Sequence, residues 1–381
     1  MYRRFFGAFG VLAAVMLLVV GAFNGLIDPY GVWKFYRQVG VNQWTPKADD
    51  LDRLIKPIEV IDKQPQTLFL GDSQVLWGID PADYTKLTGE AAYNYGLRGA
   101  TLYELRRSLE HVIAVDKDLR KVYLNVSFAM FSFDPRIVQV KARPGFDEEQ
   151  LGKKHITLGN IEKTLFSWQA FEDSCRTVSM NRKEQYEDTF YTEGGHPTAH
   201  SIRDYYKDKP YPFLTSFIGE ASQYANERKL KDESFEELER ILQLCRENGI
   251  EIQVVSLPVH ARFLEMIDVS SPIYAEYLAR LTELTPVSDF TGYDEYSEAA
   301  NVGSEKEVGS NPYFWDTHHP KDLLGAKVIG ALLGKETSLV GSLVTRENVA
   351  EHLQSLRDGR CWWEQSHPES MEEVRHYTGR N

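Results

Sequence analysis

Two short strings far apart in the chain hold residue types that could do chemistry together: Gly71-Asp72-Ser73 and Asp316-Thr317-His318-His319. A serine hydroxyl is a weak nucleophile until a base takes its proton, and an imidazole is a good base when a carboxylate fixes its tautomer. Asp316 and His319 lie three residues apart, close enough for the carboxylate to accept the Nδ1–H and leave Nε2 free. Ser73, His319 and Asp316 are therefore the catalytic candidates. Each string also has a plainer reading. Gly-Asp-Ser can be no more than a helix cap, and two histidines in a loop can lie near an aspartate by accident. His318 is read as a neighbour that packs on the loop or touches substrate.

Other residues are open to two readings. Arg98 could bind an anionic group. His260 could touch substrate, or be an exposed loop histidine. Gly195-His196-Pro197-x-x-His200 has two histidines at i, i+4 spacing, but Pro197 and the lack of a glutamate argue against a zinc helix. Cys175, Cys245 and Cys361 form neither a metal motif nor a disulfide framework. No motif calls for a cofactor.

The elements that must position these residues alternate along the chain. Thr67–Leu70, Ala91–Tyr95, Lys121–Ser127, Ile250–Leu257 and Pro286–Phe290 read as strands. Leu102–Val115, Ser234–Asn248 and Leu323–Leu333 read as helices with one apolar face. Such alternation predicts a parallel sheet covered by helices on both faces, with ligands at the carboxyl ends of the strands. Ser73 follows the first strand, Gly96 and Gly99 the second and His319 the fifth, so all fall on that edge. Residues 134–231 contain no clean strand and carry Tyr186, Tyr191, Tyr205, Tyr206 and Tyr211; they read as a mostly helical insertion. The stretch from Asn42 to Asp52 reads as a linker. Beyond Gly334, Thr345–Leu356 reads as an amphipathic helix followed by a polar tail.

Composition is globular: 381 residues, 42% hydrophobic, with a net charge of −13 that makes nucleic acid a poor partner. The N-terminus differs. Phe5 to Ile27 is uncharged and long enough to cross a hydrocarbon core of about 30 Å. Arg3 and Arg4 precede it, which predicts a single pass with the N-terminus cytoplasmic and the rest extracytoplasmic. A cleaved signal peptide is the rival reading, against which stand the length of the run and the poor site at Gly21-Ala22-Phe23-Asn24.

With Asn94-x-Gly96-x-x-Gly99-Ala100-Thr101 between them, the two strings resemble the SGNH (GDSL-type) hydrolase superfamily over roughly residues 65 to 333. The resemblance implies a flavodoxin-like three-layer α/β/α sandwich. It implies Ser73 as nucleophile, His319 as base and Asp316 as its orienting acid. The N–H groups of Ser73 and Gly99 would form the oxyanion hole. One departure is clear. The family's Gly-x-Asn-Asp after the third strand is missing, and Ala129 stands near the expected Asn. Asn94, Asn125 and Ser127 are the candidates to replace that donor.

With the apolar N-terminus, the departure is similar to a membrane-anchored envelope branch of the family. That branch includes the alginate O-acetylation proteins and the D-alanyl transfer protein of teichoic acid synthesis. It implies an extracytoplasmic serine esterase or O-acyltransferase acting on acylated envelope polysaccharide or glycolipid. The partner would be a multi-span membrane acyltransferase. The alternative is a non-catalytic SGNH-like subunit that binds polymer or scaffolds the complex. The expected organisation is an anchor over 1–30, a membrane-proximal linker over 31–64, an SGNH-like domain over 65–335 and a C-terminal helix and tail over 336–381.

Overall fold

Five parallel strands and one antiparallel strand form the central sheet. The computed structural model describes residues 2–133, 146–184, 186–207, 228–301, 307–336, 338–339 and 341–379. In chain order the strands are β1 Thr67–Gly71, β2 Ala92–Gly96, β3 Lys121–Asn125, β4 Glu251–Ser256, β5 Val287–Asp289 and β6 Ser342–Val344. Their order across the sheet is β2-β1-β3-β4-β5-β6, with only the β5–β6 pair antiparallel. The first five strands follow the flavodoxin-like order, in which ligands bind where the chain switches direction across the sheet, at the carboxyl end of β1.

The strands are apolar on both sides because both sides are covered. Leu68, Leu70, Val122, Leu124 and Val254 pack into one buried cluster with the helices Leu102–Val115, Asp232–Glu247 and Pro272–Leu284. The alternate residues Phe69, Tyr123 and Val255 face a second cluster with Val75, Tyr84, Leu324 and Val328. This is the three-layer α/β/α sandwich. Helix Leu102–Val115 starts on a full capping box, with Thr101 and Glu104 each satisfying the other's backbone.

The N-terminal helix, Tyr2–Ile27, is long and apolar enough to cross a membrane, and only 6% of its apolar window is buried. The segment after it is no linker. Tyr30, Val32, Trp44, Ile55 and Ile58 are buried with Ala170 and Phe190, and Asp52–Lys63 is a helix. From this helix Arg53 bonds to the Glu104 carboxylate at 3.0 Å and 3.2 Å, both groups buried. The buried residues of this segment pack on the insertion rather than lying open to water.

The described parts of the insertion are helical at Trp168–Lys183 and Ala199–Lys207. A two-residue antiparallel ladder, Ser132–Phe133 with Lys229–Leu230, closes its neck. Tyr211 lies outside the described residues. The insertion also covers the edge of the sheet: Asn94 N donates to Gly194 O at 2.8 Å. The buried Lys56 ammonium donates to Asn94 O at 2.5 Å and Gly195 O at 2.8 Å. Burial pushes Lys56 down to about 7. An edge strand left open would invite pairing with another chain.

The C-terminal segment also departs from its reading as a short helix and polar tail. It supplies β6 and then two helices, Val349–Ser366 and Pro368–Thr378, with Leu353, Leu356, Trp363, Met371 and Val374 buried. The apolar residues are sparse because only one face of each helix is covered.

Candidate active site

The chain turns sharply where β1 ends, and Asp72 caps the helix Ser73–Gly78 by accepting from Gln74 N at 3.0 Å. The capping and the chemical readings of Gly-Asp-Ser thus hold together, because the cap sets Ser73 at the first helical position. Ser73 Oγ lies 2.8 Å from His319 Nε2. His319 Nδ1 lies 2.7 Å from Asp316 Oδ2. The carboxylate is acceptor-only, so Nδ1 carries the proton and Nε2 accepts from the serine hydroxyl. All three sequence candidates meet.

Asp316 is buried and collects four donors. Oδ1 accepts from the backbone N–H groups of His318 at 3.0 Å and His319 at 2.9 Å. Oδ2 accepts from His319 Nδ1 and, at 2.7 Å, from the Tyr206 hydroxyl. Burial alone would raise this carboxyl, but the charges of His319 and His318 and the hydrogen bonds from His319 and Tyr206 outweigh it, so it stays well below the usual carboxylate range. The loop is closed at its base, where Trp315 N donates to His319 O at 2.9 Å.

Tyr206 is the residue that sequence reasoning missed. In the sequence it is one of several insertion tyrosines, with nothing to single it out. Its ring is buried and stacks on Trp315 at 6.0 Å, which fixes the hydroxyl on Asp316.

The proposed substitutes for the missing oxyanion asparagine are otherwise engaged. Asn94 Nδ2 donates to the carbonyls of Val75 and Ile79, both at 2.7 Å, and its Oδ1 accepts from Gly96 N. It pins the serine's helix to β2. Asn125 Nδ2 donates to Asp72 Oδ1 at 3.2 Å and Gln74 Oε1 at 3.1 Å. Ser127 Oγ donates to Asp72 Oδ2 at 3.1 Å. Asn125 and Ser127 therefore build the turn below Ser73. Burial raises the Asp72 carboxyl, against the hydrogen bond from Gln74 and the nearby histidine charges. Gly99 sits on the same sheet edge, in the turn after β2, with φ +58, a conformation that favours glycine.

The remaining candidates divide. Arg98 lies 5.7 Å over the Trp77 ring and 6.0 Å over Tyr205, with its backbone N–H on Asp52. Its guanidinium Nε also lies 3.8 Å from the buried Asp52 carboxylate, so the Arg98 charge is paired within the protein. His318 stacks on Phe263 at 5.3 Å and lies tilted against His319 at 3.7 Å, which is the packing reading. His260 is not an exposed loop residue. It is buried, its Nδ1 accepts from Arg262 N at 3.2 Å to cap Ala261–Ile267, and its Nε2 lies 3.3 Å from Ala299 O. Burial, and then the Arg262 charge, push it down to about 3. Its backbone N–H donates to Thr317 O at 3.0 Å, so it braces the Asp316–His319 loop from behind.

Asp316, His318 and His319 bring ligand atoms within 4.8 Å of one another. A cation there would have to displace the His319–Asp316 bond that orients the imidazole. His196 and His200 are engaged elsewhere, His196 Nε2 with Trp77 O at 3.3 Å and His200 edge-on to Trp44 at 4.7 Å. The three cysteines are free thiols.

No family model matches the chain, and no curated protein matches it. A solved structure described as "a putative platelet activating factor from Streptococcus pneumonia" is similar over 75% of this chain and 94% of its own, at 14% identity and a TM-score of 0.34. At that level of likeness the reading of the site rests on its own geometry.

Proposed function

We propose that this chain is an extracytoplasmic serine esterase or O-acyltransferase of the SGNH kind, working through an acyl-enzyme on Ser73. The observation that carries the reading is the unbroken relay from Ser73 Oγ to His319 to Asp316, at 2.8 Å and 2.7 Å. Ser73 Oγ attacks an ester carbonyl while His319 Nε2 takes its proton. The tetrahedral oxyanion is met by the N–H groups of Ser73 and Gly99. Collapse expels the alcohol, which receives the proton from His319. Water or a sugar hydroxyl then repeats the steps on the acyl-serine and releases acid or a new ester.

Acylated envelope polysaccharide or glycolipid is the substrate class that an apolar N-terminal helix suits. A multi-span membrane acyltransferase is the partner this reading implies. A donor fixed in the membrane would explain a hydrolase-like site beside a membrane-crossing helix.

The test is covalent labelling with a fluorophosphonate probe. Wild type should label at Ser73, and Ser73→Ala should lose labelling completely while keeping its unfolding midpoint. A folded wild type that never labels would overturn the enzyme and leave the binding or scaffold subunit.

A further inference from the structure

The N-terminal helix does not stand apart from the domain it carries. Its last turns bury Gly21, Asn24 and Gly25 against the start of the insertion. The Phe166 ring lies against Gly21, and the Leu165 side chain against Gly25. Asn24 Nδ2 donates to Leu165 O at 2.8 Å, and its Oδ1 accepts from Ser174 Oγ at 2.9 Å. Phe23 meets the Phe171 ring at 5.7 Å. Beyond the helix, Trp33 Nε1 donates to Thr164 Oγ1 at 3.1 Å.

Depth is set by the same helix. With Arg3 and Arg4 at one surface, a hydrocarbon core of about 30 Å takes up about 20 residues at roughly 1.5 Å each. Counting from Phe5, the far boundary falls near Asn24. The segment that grips Gly21 to Gly25 is therefore at the boundary, and it turns large apolar groups outward. Trp168 is 70% exposed and Leu158 83%, and Phe35, near Trp33 at 5.7 Å, is 70% exposed. Aromatic side chains at that depth are characteristic of the membrane–water interface.

We propose that the insertion seats the domain in the lipid interface, with Trp168, Leu158, Phe166 and Phe35 entering the headgroup–acyl boundary around the N-terminal helix. This rests on that helix crossing the membrane, and it is independent of the reaction at Ser73. Lipid is the occupant because the segment carrying Phe166 and Trp168 packs on the last turns of the helix, at its boundary depth. The same insertion delivers Tyr206 to Asp316, so one element fixes both the height of the domain and the geometry of its triad. The site would then work at a set distance from the bilayer.

The test uses the full chain in nanodiscs of phosphatidylcholine and phosphatidylglycerol. The exposed Cys175 and Cys361 are replaced by Ser, and an environment-sensitive fluorophore is placed on Trp168→Cys, Leu158→Cys or, as a distant control, Trp362→Cys. The probes at 168 and 158 should brighten several-fold relative to detergent-free buffer standards and be quenched by lipids spin-labelled at a shallow acyl position. The probe at 362 should stay water-like. Water-like emission at both 168 and 158 overturns the proposal, as does an intact mass lacking the first helix. So does lipid-independent burial that appears only when a second membrane protein is added. Fluorophosphonate labelling of the same samples reports separately on Ser73, so loss of one reading is not loss of the other.

Discussion

Four donors converge on Asp316, and the one from furthest away in sequence, Tyr206, shares Oδ2 with the imidazole. A donor on that oxygen draws off part of the charge that holds the His319 proton. Removing it by Tyr206→Phe keeps the ring on Trp315 but leaves more of the Asp316 charge to the imidazole. Orientation is lost as well, and a hydrogen bond to a charged group is worth about 1.5–3 kcal/mol, so labelling should slow about tenfold or more. An unchanged labelling rate in folded Tyr206→Phe would reduce Tyr206 to a packing residue. The contrast with Asp-x-x-His is instructive. Asp316 and His319 are legible because one loop carries both, and three residues fix their separation. Tyr206 is 110 residues away in an insertion without strand register, so nothing in its spacing points at Asp316. Asn94 and Asn125 are legible as residues near the site but not as structural ones. Their neighbours in space, Val75, Ile79 and Leu257, are not their neighbours in sequence.

The triad spans the two ends of the sheet's chain order, so two helices must come together to form it. Ser73–Gly78 follows β1, and Asp322–Leu332 follows His319. They cross where Gly325 meets the carbonyl of Gly78, so closely that a Cβ on Gly325 would overlap that oxygen. The obstacle is backbone, which cannot swing aside as a side chain can. Gly325→Ala should therefore push the helices apart and cost about 1–3 kcal/mol of stability. A shift there also moves Ser73 relative to His319, so labelling should fall by more than the folded fraction explains. Denaturant unfolding together with labelling checks both; an unchanged midpoint would show that the helices yield freely. At this scale the sequence is informative wherever burial on both faces produces a continuous apolar run, as in β1, β3 and β4. It is silent for β6 and the Ser132–Phe133 ladder, since two or three residues carry no periodicity. The stretch from Asn42 to Asp52 defeats a linker reading because polar residues such as Asn42 and Asp52 are buried there to bond backbone rather than exposed to water.

For the molecule as a whole, the question is where the folded unit stops. A boundary near residue 335 leaves the last segment as an appendage, and β6 contradicts that by pairing with β5. The segment buries Val344, Leu353, Leu356, Trp363, Met371 and Val374. At about 1.5–3 kcal/mol for each large apolar side chain, less a discount for a compact unfolded state, their loss removes roughly 10 kcal/mol. Two contacts to buried carboxylates go with them. His352 bonds to the buried Asp289 at 2.9 Å, and Arg360 to the buried Glu265 at 2.8 Å. Stripping the partner from a buried carboxylate adds about 3–5 kcal/mol. Domains of ordinary stability hold about 5–15 kcal/mol in total. A chain ended after Glu336 should therefore fail to fold although every triad residue remains, because Val344, Leu353, Leu356 and Val374 belong to the same buried cluster as Leu68 and Leu70 of β1. Limited proteolysis and the far-ultraviolet melting curve of the truncated chain test this. A cooperative melt within a few degrees of the full-length chain would mean that the sandwich is complete without its sixth strand. The expected loss of all cooperativity would mean that the catalytic edge depends on a segment at the opposite edge of the sheet.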